Sequence, residues 1–137
     1  MGVILDSSVL IAGERRRESL WQILERVHAA HGEVDVAISV VSIVELTHGI
    51  YRAKSDQDRQ RRKDFGQEIQ RSMVVLPLTT AIAELAGRIE GEQAVRGISI
   101  AFEDLLIGVT ALHLGFEVLT LNVRHFQRIP GLGVLQL

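Results

Sequence analysis

The chain opens on an unbroken apolar run, Val3 to Leu5, interrupted by Asp6, Ser7 and Ser8 before apolar residues resume at Val9 to Ile11. Such a run, bounded by small polar residues, predicts a buried strand that stops and a helix that starts. Further along, Leu20, Ile23, Leu24 and Val27 fall at helical spacing and predict a helix over 16–31, stopped by Gly32. "VDVAIS" (34–39) predicts a second strand. Ile43, Leu46 and Ile50 share one stripe of a helix over 42–53, and the charged stretch 56–71 predicts another. "MVVLP" (73–77) reads as a third strand closed by Pro77, and Ile82, Leu85, Ala86 and Ile89 mark an amphipathic helix over 80–95. Residues 102–115 are apolar nearly all round after their first turn, which predicts a buried helix. "EVLTL" (117–121) is a fourth strand and "GVLQL" (133–137) a short fifth.

Strands separated by helices imply right-handed crossovers and a parallel sheet covered on both faces. The expected fold is a three-layer α/β/α sandwich around a parallel sheet of four or five strands, with residues 1–137 forming one domain. That topology places residues. Asp6 closes the first strand, and Glu45 lies in the first turn after the second. The 102–115 helix must end where the fourth strand begins. At about 1.5 Å per residue it starts about 20 Å higher, which returns Asp104 to the rim that holds Asp6. Asn122 to His125, just past the fourth strand, arrive there too. Gly87 and Gly91, four apart in the 80–95 helix, permit close packing, with a sheet contact favoured over a dimer seam.

Composition narrows the classes. With 137 residues, 47% of them hydrophobic, the chain can bury a core of its own. A net charge of −2 confines any nucleic-acid contact to a local patch. Cysteine is absent, which removes disulfides and thiolate metal sites and fits a reducing, cytoplasmic setting. No stretch approaches the about 18 unbroken apolar residues of a membrane span, and no secretory leader pattern opens the chain.

Each candidate site residue has a bland alternative. Asp6 can be a helix cap. "SIVE" (42–45) matches a capping box, with Ser42 at the N-cap and Glu45 reaching back. Asp104 and Glu103 can simply complement a helix dipole, Asn122 can be a turn residue, and His125 and His48 can be ordinary rim histidines. The joint arrangement asks for more. Carboxylates gathered on one rim repel, and their pKa values rise unless a cation neutralises them. With oxygen donors and no thiolate, the matching cation is hard, Mg²⁺ with Mn²⁺ as a substitute. Such a cluster suits phosphodiester chemistry. The stretch 51–71 carries seven Lys or Arg against four Asp or Glu, an excess of three. It reads as a solvated face or as a strip (Arg59, Arg61, Arg62, Lys63) that tracks phosphate.

"VILDSSVLI", "ISVVSIVELTHGIYRA" and "DLLIGVTALHLGFEVLTLNVRHFQRIPGLGV" resemble, in order and spacing, the PIN-domain ribonucleases, and most of all the small VapC-type toxins of prokaryotic toxin–antitoxin pairs. The resemblance runs from Val3 to about Val134. It implies Mg²⁺-dependent endonucleolytic cleavage of RNA, a homodimer, and inhibition by an antitoxin in a heterotetramer or larger complex. Carried over by motif, Asp6, Glu45 and Asp104 match the metal-holding acids, and Asn122 with Thr120 matches the polar pair of the "T-x-N" turn. Ser7 matches a hydroxyl position after the first aspartate. Two positions depart from the pattern. Ser8 stands where the family often has Asn. His125 stands where it often has an acid, which leaves a fourth carboxylate, and a second metal, without a residue there. Glu103 adjoins Asp104 but points about 100° away on a helix.

Two rival readings are phosphotransfer through Asp6 and a non-catalytic regulatory module. The first wants a second acid where Ser8 stands, and a phosphate-binding module wants a glycine-rich loop after the first strand, which "DSSVLIAG" lacks.

Overall fold

Strands and helices alternate through the computed structural model, which describes residues 2–137. In chain order they are β1 (Gly2–Leu5), α1 (Ser7–Arg15), α2 (Leu20–His31), β2 (Asp35–Ser39), α3 (Val40–Tyr51) and α4 (Asp56–Ser72). Then come β3 (Val74–Leu76), α5 (Thr80–Val95), α6 (Phe102–Leu114), β4 (Glu117–Thr120), α7 (Val123–Phe126) and β5 (Val134–Gln136). The five strands form one sheet in the order β3-β2-β1-β4-β5, every neighbouring pair parallel.

The central strand shows why the sheet must be covered twice. Val3, Ile4 and Leu5 are all fully buried, yet successive side chains point to opposite faces. Val3 and Leu5 pack with Leu10, Leu20, Ile23 and Ile69 from α1, α2 and α4. Ile4 packs on the other side with Ile82, Ile89, Ile107 and Phe126 from α5, α6 and α7. Burying each such side chain contributes about 1.5–3 kcal/mol, so the apolar run fixes both the strand and its central place.

Three boundaries differ from the sequence expectation, each for a local reason. The helix expected over 16–31 begins at Leu20. Arg17 adopts a left-handed conformation (φ 62°) that breaks the chain after α1, and Ser19 with Gln22 forms a capping box that starts α2. α3 begins at Val40 rather than residue 42, because Ser39, not Ser42, is the N-cap and accepts from the Val41 amide at 3.1 Å. Ser42 is instead buried with its Oγ unpartnered, so the capping-box alternative is overturned and Glu45 is free for another role. Residues 123–126, for which the sequence pattern predicts no element, form the short helix α7. Gly87 and Gly91 do not make the expected sheet contact. They lie on the exposed face of α5, and a Cβ on either would meet nothing within 4 Å. Among the described residues no helix is long and apolar enough to cross a membrane.

From β1 the chain moves outward through β2 to β3, then returns to β1's other side at β4. The connection therefore reverses direction between β1 and β4. In open parallel sheets the crevice beyond the carboxyl ends of the strands at such a reversal is where ligands bind.

Candidate active site

Asp6 sits at that reversal. Its amide donates to Leu119 O of β4 at 2.9 Å, which continues the ladder one residue past β1. The residue occupies the N-cap position of α1, yet its side chain makes no capping hydrogen bond. The carboxylate turns instead toward β4. Oδ2 accepts from Ser8 Oγ at 2.7 Å and from Thr120 Oγ1 at 2.8 Å, while the side chain is all but buried at 3% exposure. Each hydroxyl has one hydrogen, so the 3.3 Å approach of Ser8 Oγ to Thr120 Oγ1 is a contact between two donors committed to one oxygen. Both hydroxyls are pinned from behind, Ser8 Oγ by the Leu121 amide at 3.2 Å and Thr120 Oγ1 by the Asn122 amide at 2.9 Å. No protein donor among the described residues reaches Oδ1.

Ser7 performs the matching task for Glu45. α1 and α3 lie side by side, and Ser7 Oγ donates to Glu45 Oε1 at 2.8 Å. Adjacent serines thus orient two different acids. Asp104 enters from the first turn of α6, and His125 Nδ1 lies 3.1 Å from its Oδ2. A carboxylate only accepts, so Nδ1 carries the hydrogen of that bond.

Asp6, Ser7, Ser8, Glu45, Asp104 and Asn122 line one cleft of about 350 Å³. Asn122 caps nothing with its side chain, which leaves the amide available to the cleft. Glu103 lines the adjoining groove with Glu45 rather than the cleft itself. Burial raises the pKa of Glu45 above the usual carboxylate range, and the charges of Asp6, Asp104 and Glu103 add to this against the Ser7 hydrogen bond. Burial likewise raises Asp104, with Asp6 adding to it and His125 opposing. These acids repel across the cleft, and among the described residues no lysine or arginine is paired with any of them. That is the electrostatic state a divalent cation relieves. No group of three or more His, Asp or Glu among the described residues closes to direct ligation of one ion. Mg²⁺ does not need such a cage, because it keeps several waters and is held by one or two carboxylates. The oxygen-only donor set fits it.

A raised carboxylate carries a stability consequence. Glu45 holds its proton to higher pH in the folded protein than in the unfolded chain, so stability falls as pH rises from the unfolded value through the folded one. Glu45→Gln keeps the acceptor for Ser7 and removes the charge. In metal-free buffer its melting temperature should exceed the wild-type value at neutral pH, and the gap should close below about pH 4.3. A variant less stable than wild type at neutral pH would contradict this.

The charged stretch 51–71 behaves differently from the phosphate strip considered above. Arg61 Nε donates to Glu14 at 3.1 Å and its Nη2 pairs with Asp58 at 2.9 Å. Arg62 donates to Gly49 O at 2.6 Å, and Arg59 lies near Ala53 O and Asp56, each at 3.5 Å. Three of the four named cations thus tie α4 to its neighbours. Since the Glu14 side chain is 9% exposed, removing Arg61 leaves a buried carboxylate unpaired. Arg61→Gln should lower the urea midpoint while leaving the salt dependence of RNA binding unchanged. A normal midpoint with a flattened salt slope would restore the strip.

Two residues gained importance only in three dimensions. Ser8, a departure from the family pattern in sequence, holds Asp6 directly. Arg15, at the end of α1, lines both the acid cleft and the adjoining groove. A hydroxyl two residues after an acid was a usable local signal for the first; nothing in the sequence singled out the second.

An acid-lined cleft at the crossover of a five-stranded parallel sheet defines the class, and the chain belongs to the PIN domain family, which residues 3–132 match. Within it, the chain is similar to the VapC ribonucleases. It is 33% identical to ribonuclease VapC1 of Rickettsia felis over 98% of this chain and 96% of that one. It is 31% identical to ribonuclease VapC of Rickettsia bellii, again over 98% and 96%. The fold superposes on the DNA-bound VapBC of Salmonella typhimurium with a TM-score of 0.82 at 23% identity, covering 99% of this chain and 98% of that one.

Proposed function

We propose that this protein is a metal-dependent endoribonuclease, the toxin of a toxin–antitoxin pair, which its cognate antitoxin inhibits. The observation that carries the reading is the meeting of Asp6, Glu45 and Asp104 in one cleft of a chain so similar to VapC ribonucleases. Those three acids would hold Mg²⁺, or Mn²⁺ in its place. When bound, the ion lowers the pKa of a water and shields charge on the phosphodiester. The chain's own groups do the positioning. Ser8 and Thr120 fix Asp6 so that Oδ1 is presented to the cleft, and Ser7 fixes Glu45. Asn122 offers an amide to the attacking water or a phosphate oxygen. His125 steadies Asp104 and, when protonated, meets phosphate. Substrate RNA is met in the cytoplasm, by a homodimer that the antitoxin assembles into a heterotetramer or larger complex.

The test is to incubate purified protein with cellular RNA and sequence the new ends. Cleavage should require Mg²⁺ or Mn²⁺, stop with chelator, and fall as cognate antitoxin is titrated in. Intact RNA under all metal conditions would overturn the reading.

Imidazole suits softer transition metals, so His125 is not a direct Mg²⁺ ligand. His125→Ala should therefore cost clearly less activity than Asp6→Asn, and His125→Asp should shift the Mg²⁺ titration to lower concentration. A His125→Ala protein as inactive as Asp6→Asn would assign this ring a larger part.

A further inference from the structure

Two of the helix starts that carry site residues lack the usual cap. α6 begins after Ala101 and α7 after Asn122, and neither N-cap side chain makes a capping hydrogen bond. Asp104 rides the first turn of α6, while His125 rides α7, a helix of only four residues. Uncapped helix ends fray unless the flanking chain is held. An acid on a fraying turn has no fixed position, so a tie elsewhere must hold both starts.

Gln93 and Arg128 supply that tie. Arg128 Nη1 donates to Ser99 O at 2.7 Å, in the loop that leads into α6. Gln93 Nε2, near the end of α5, donates to Arg128 O at 2.7 Å. The Gln93 carbonyl accepts from the Ile98 amide at 2.9 Å, which folds the same loop back on α5. One arginine thus closes a ring of three segments: the end of α5, the loop before α6 and the chain after α7. The apolar side of the last segment is seated separately, with Phe126 and Ile129 0% and 2% exposed. Apolar packing is non-directional, whereas two short hydrogen bonds fix where the segment sits along its neighbours. Gln93 is 5% exposed. A buried amide is costly unless its hydrogen bonds are made, so this side chain is accounted for by the bond to Arg128. The hollow that it lines with Leu112 and Pro130 shares no residue with the acid cleft.

We propose that Gln93 and Arg128 are positioning residues, a brace outside the cleft that holds Asp104 in register with Asn122 and His125 for metal binding. The inference rests on the metal-site reading and adds the residues that keep two pieces of that site together. The contact of His125 Nδ1 with Asp104 Oδ2 at 3.1 Å spans the same two segments. It persists only while they do not slide, and the brace is what stops them. Partners that orient a metal ligand from outside typically change metal affinity 10–100-fold when removed, about as much as many direct contacts.

The experiment compares full-length wild type with Arg128→Ala, Arg128→Lys, Gln93→Leu and the double Gln93→Leu/Arg128→Ala. Ile23→Val, in the core on the other face of the sheet, serves as a destabilised control. In metal-free buffer, hydrogen exchange is read at the Leu105 amide, which donates to Ala101 O at 2.9 Å, and at the His125 amide, which donates to Asn122 O at 3.1 Å. Arg128→Ala and Gln93→Leu should each speed exchange at both by about 3–10-fold, the scale of one lost hydrogen bond, and leave the α2 amides unchanged. Mg²⁺ binding is then followed by isothermal titration calorimetry, so the result does not depend on cleavage. Affinity should fall about 10-fold in both single variants and hardly further in the double, since each breaks the same brace. Arg128→Lys keeps a donor and should recover most of the loss, and Ile23→Val should bind Mg²⁺ as wild type does. Unchanged exchange at Leu105 and His125 would overturn the proposal. So would faster exchange with unaltered Mg²⁺ affinity, because Gln93 and Arg128 would then serve stability alone. Wild type that binds no Mg²⁺ defeats the metal-site reading itself, whereas wild-type affinity in the variants rejects only the brace.

Discussion

Asp6→Asn should lower ribonucleolytic rate by about 10²-fold or more at saturating Mg²⁺, the scale of a lost transition-state contact. The substitution keeps size and most hydrogen-bonding capacity. An amide oxygen still accepts from Ser8 and Thr120, as Oδ2 does at 2.7 and 2.8 Å. What disappears is charge at the floor of the cleft, along with the carboxylate oxygen that no protein donor occupies. Loss of activity without loss of fold is therefore expected. Glu45→Gln and Asp104→Asn should behave alike, because both acids face Asp6 across the same cleft. Single-turnover cleavage of one defined RNA, beside a melting curve for each variant, makes the measurement. Near-wild-type cleavage by any two of the three would sink the metal-site reading.

Phe126→Ala should destabilise the fold by about 3–5 kcal/mol, the usual cost of truncating a fully enclosed aromatic ring. Phe126 is 0% exposed and packs with Ile129 and the α6 residues beneath it. The ring lies close to Gly108, where an added Cβ would stand 3.3 Å from Phe126 Cδ1 and closer still to Ile129. α7 spans only Val123–Phe126. A helix that short has no stability of its own, so this ring seats the turn that carries Asn122 and His125. Since whole domains are stable by about 5–15 kcal/mol, the loss removes much of the margin. Urea unfolding gives the number. Phe126→Leu should recover most of it, and a cost below about 1 kcal/mol for the alanine variant would show that α7 is held elsewhere.

The sheet, its parallel sense and the rim that gathers Asp6, Glu45 and Asp104 were legible because they follow from strong signals. Apolar strands such as Val3–Leu5 alternate with helical stripes, and one topology then places every strand end. What was not legible depended on side chains meeting across the sheet. Ser39 and Ser42 are equally good caps in sequence, and only the packing of α3 against the core decides that Ser39 caps while Ser42 is buried. The seven cations of 51–71 look like a substrate strip until Glu14, Asp58 and Gly49 are seen to claim two of them. Thr120 reaches Asp6 from 114 residues away, a distance over which no local pattern speaks. Arg15 stands out because it lines both the acid cleft and the adjoining groove, a property that a sequence does not display.

The bond from Thr120 to Asp6 sets an order of events during synthesis. Asp6 leaves the ribosome well before the hydroxyl that orients it, which arrives only when β4 has been made and has paired with β1. Asp104 on α6 emerges shortly before. A growing chain therefore holds an incomplete cleft until β4 has been made. The machine producing this protein, itself built largely of RNA, is spared a finished nuclease on its own surface until that strand has paired.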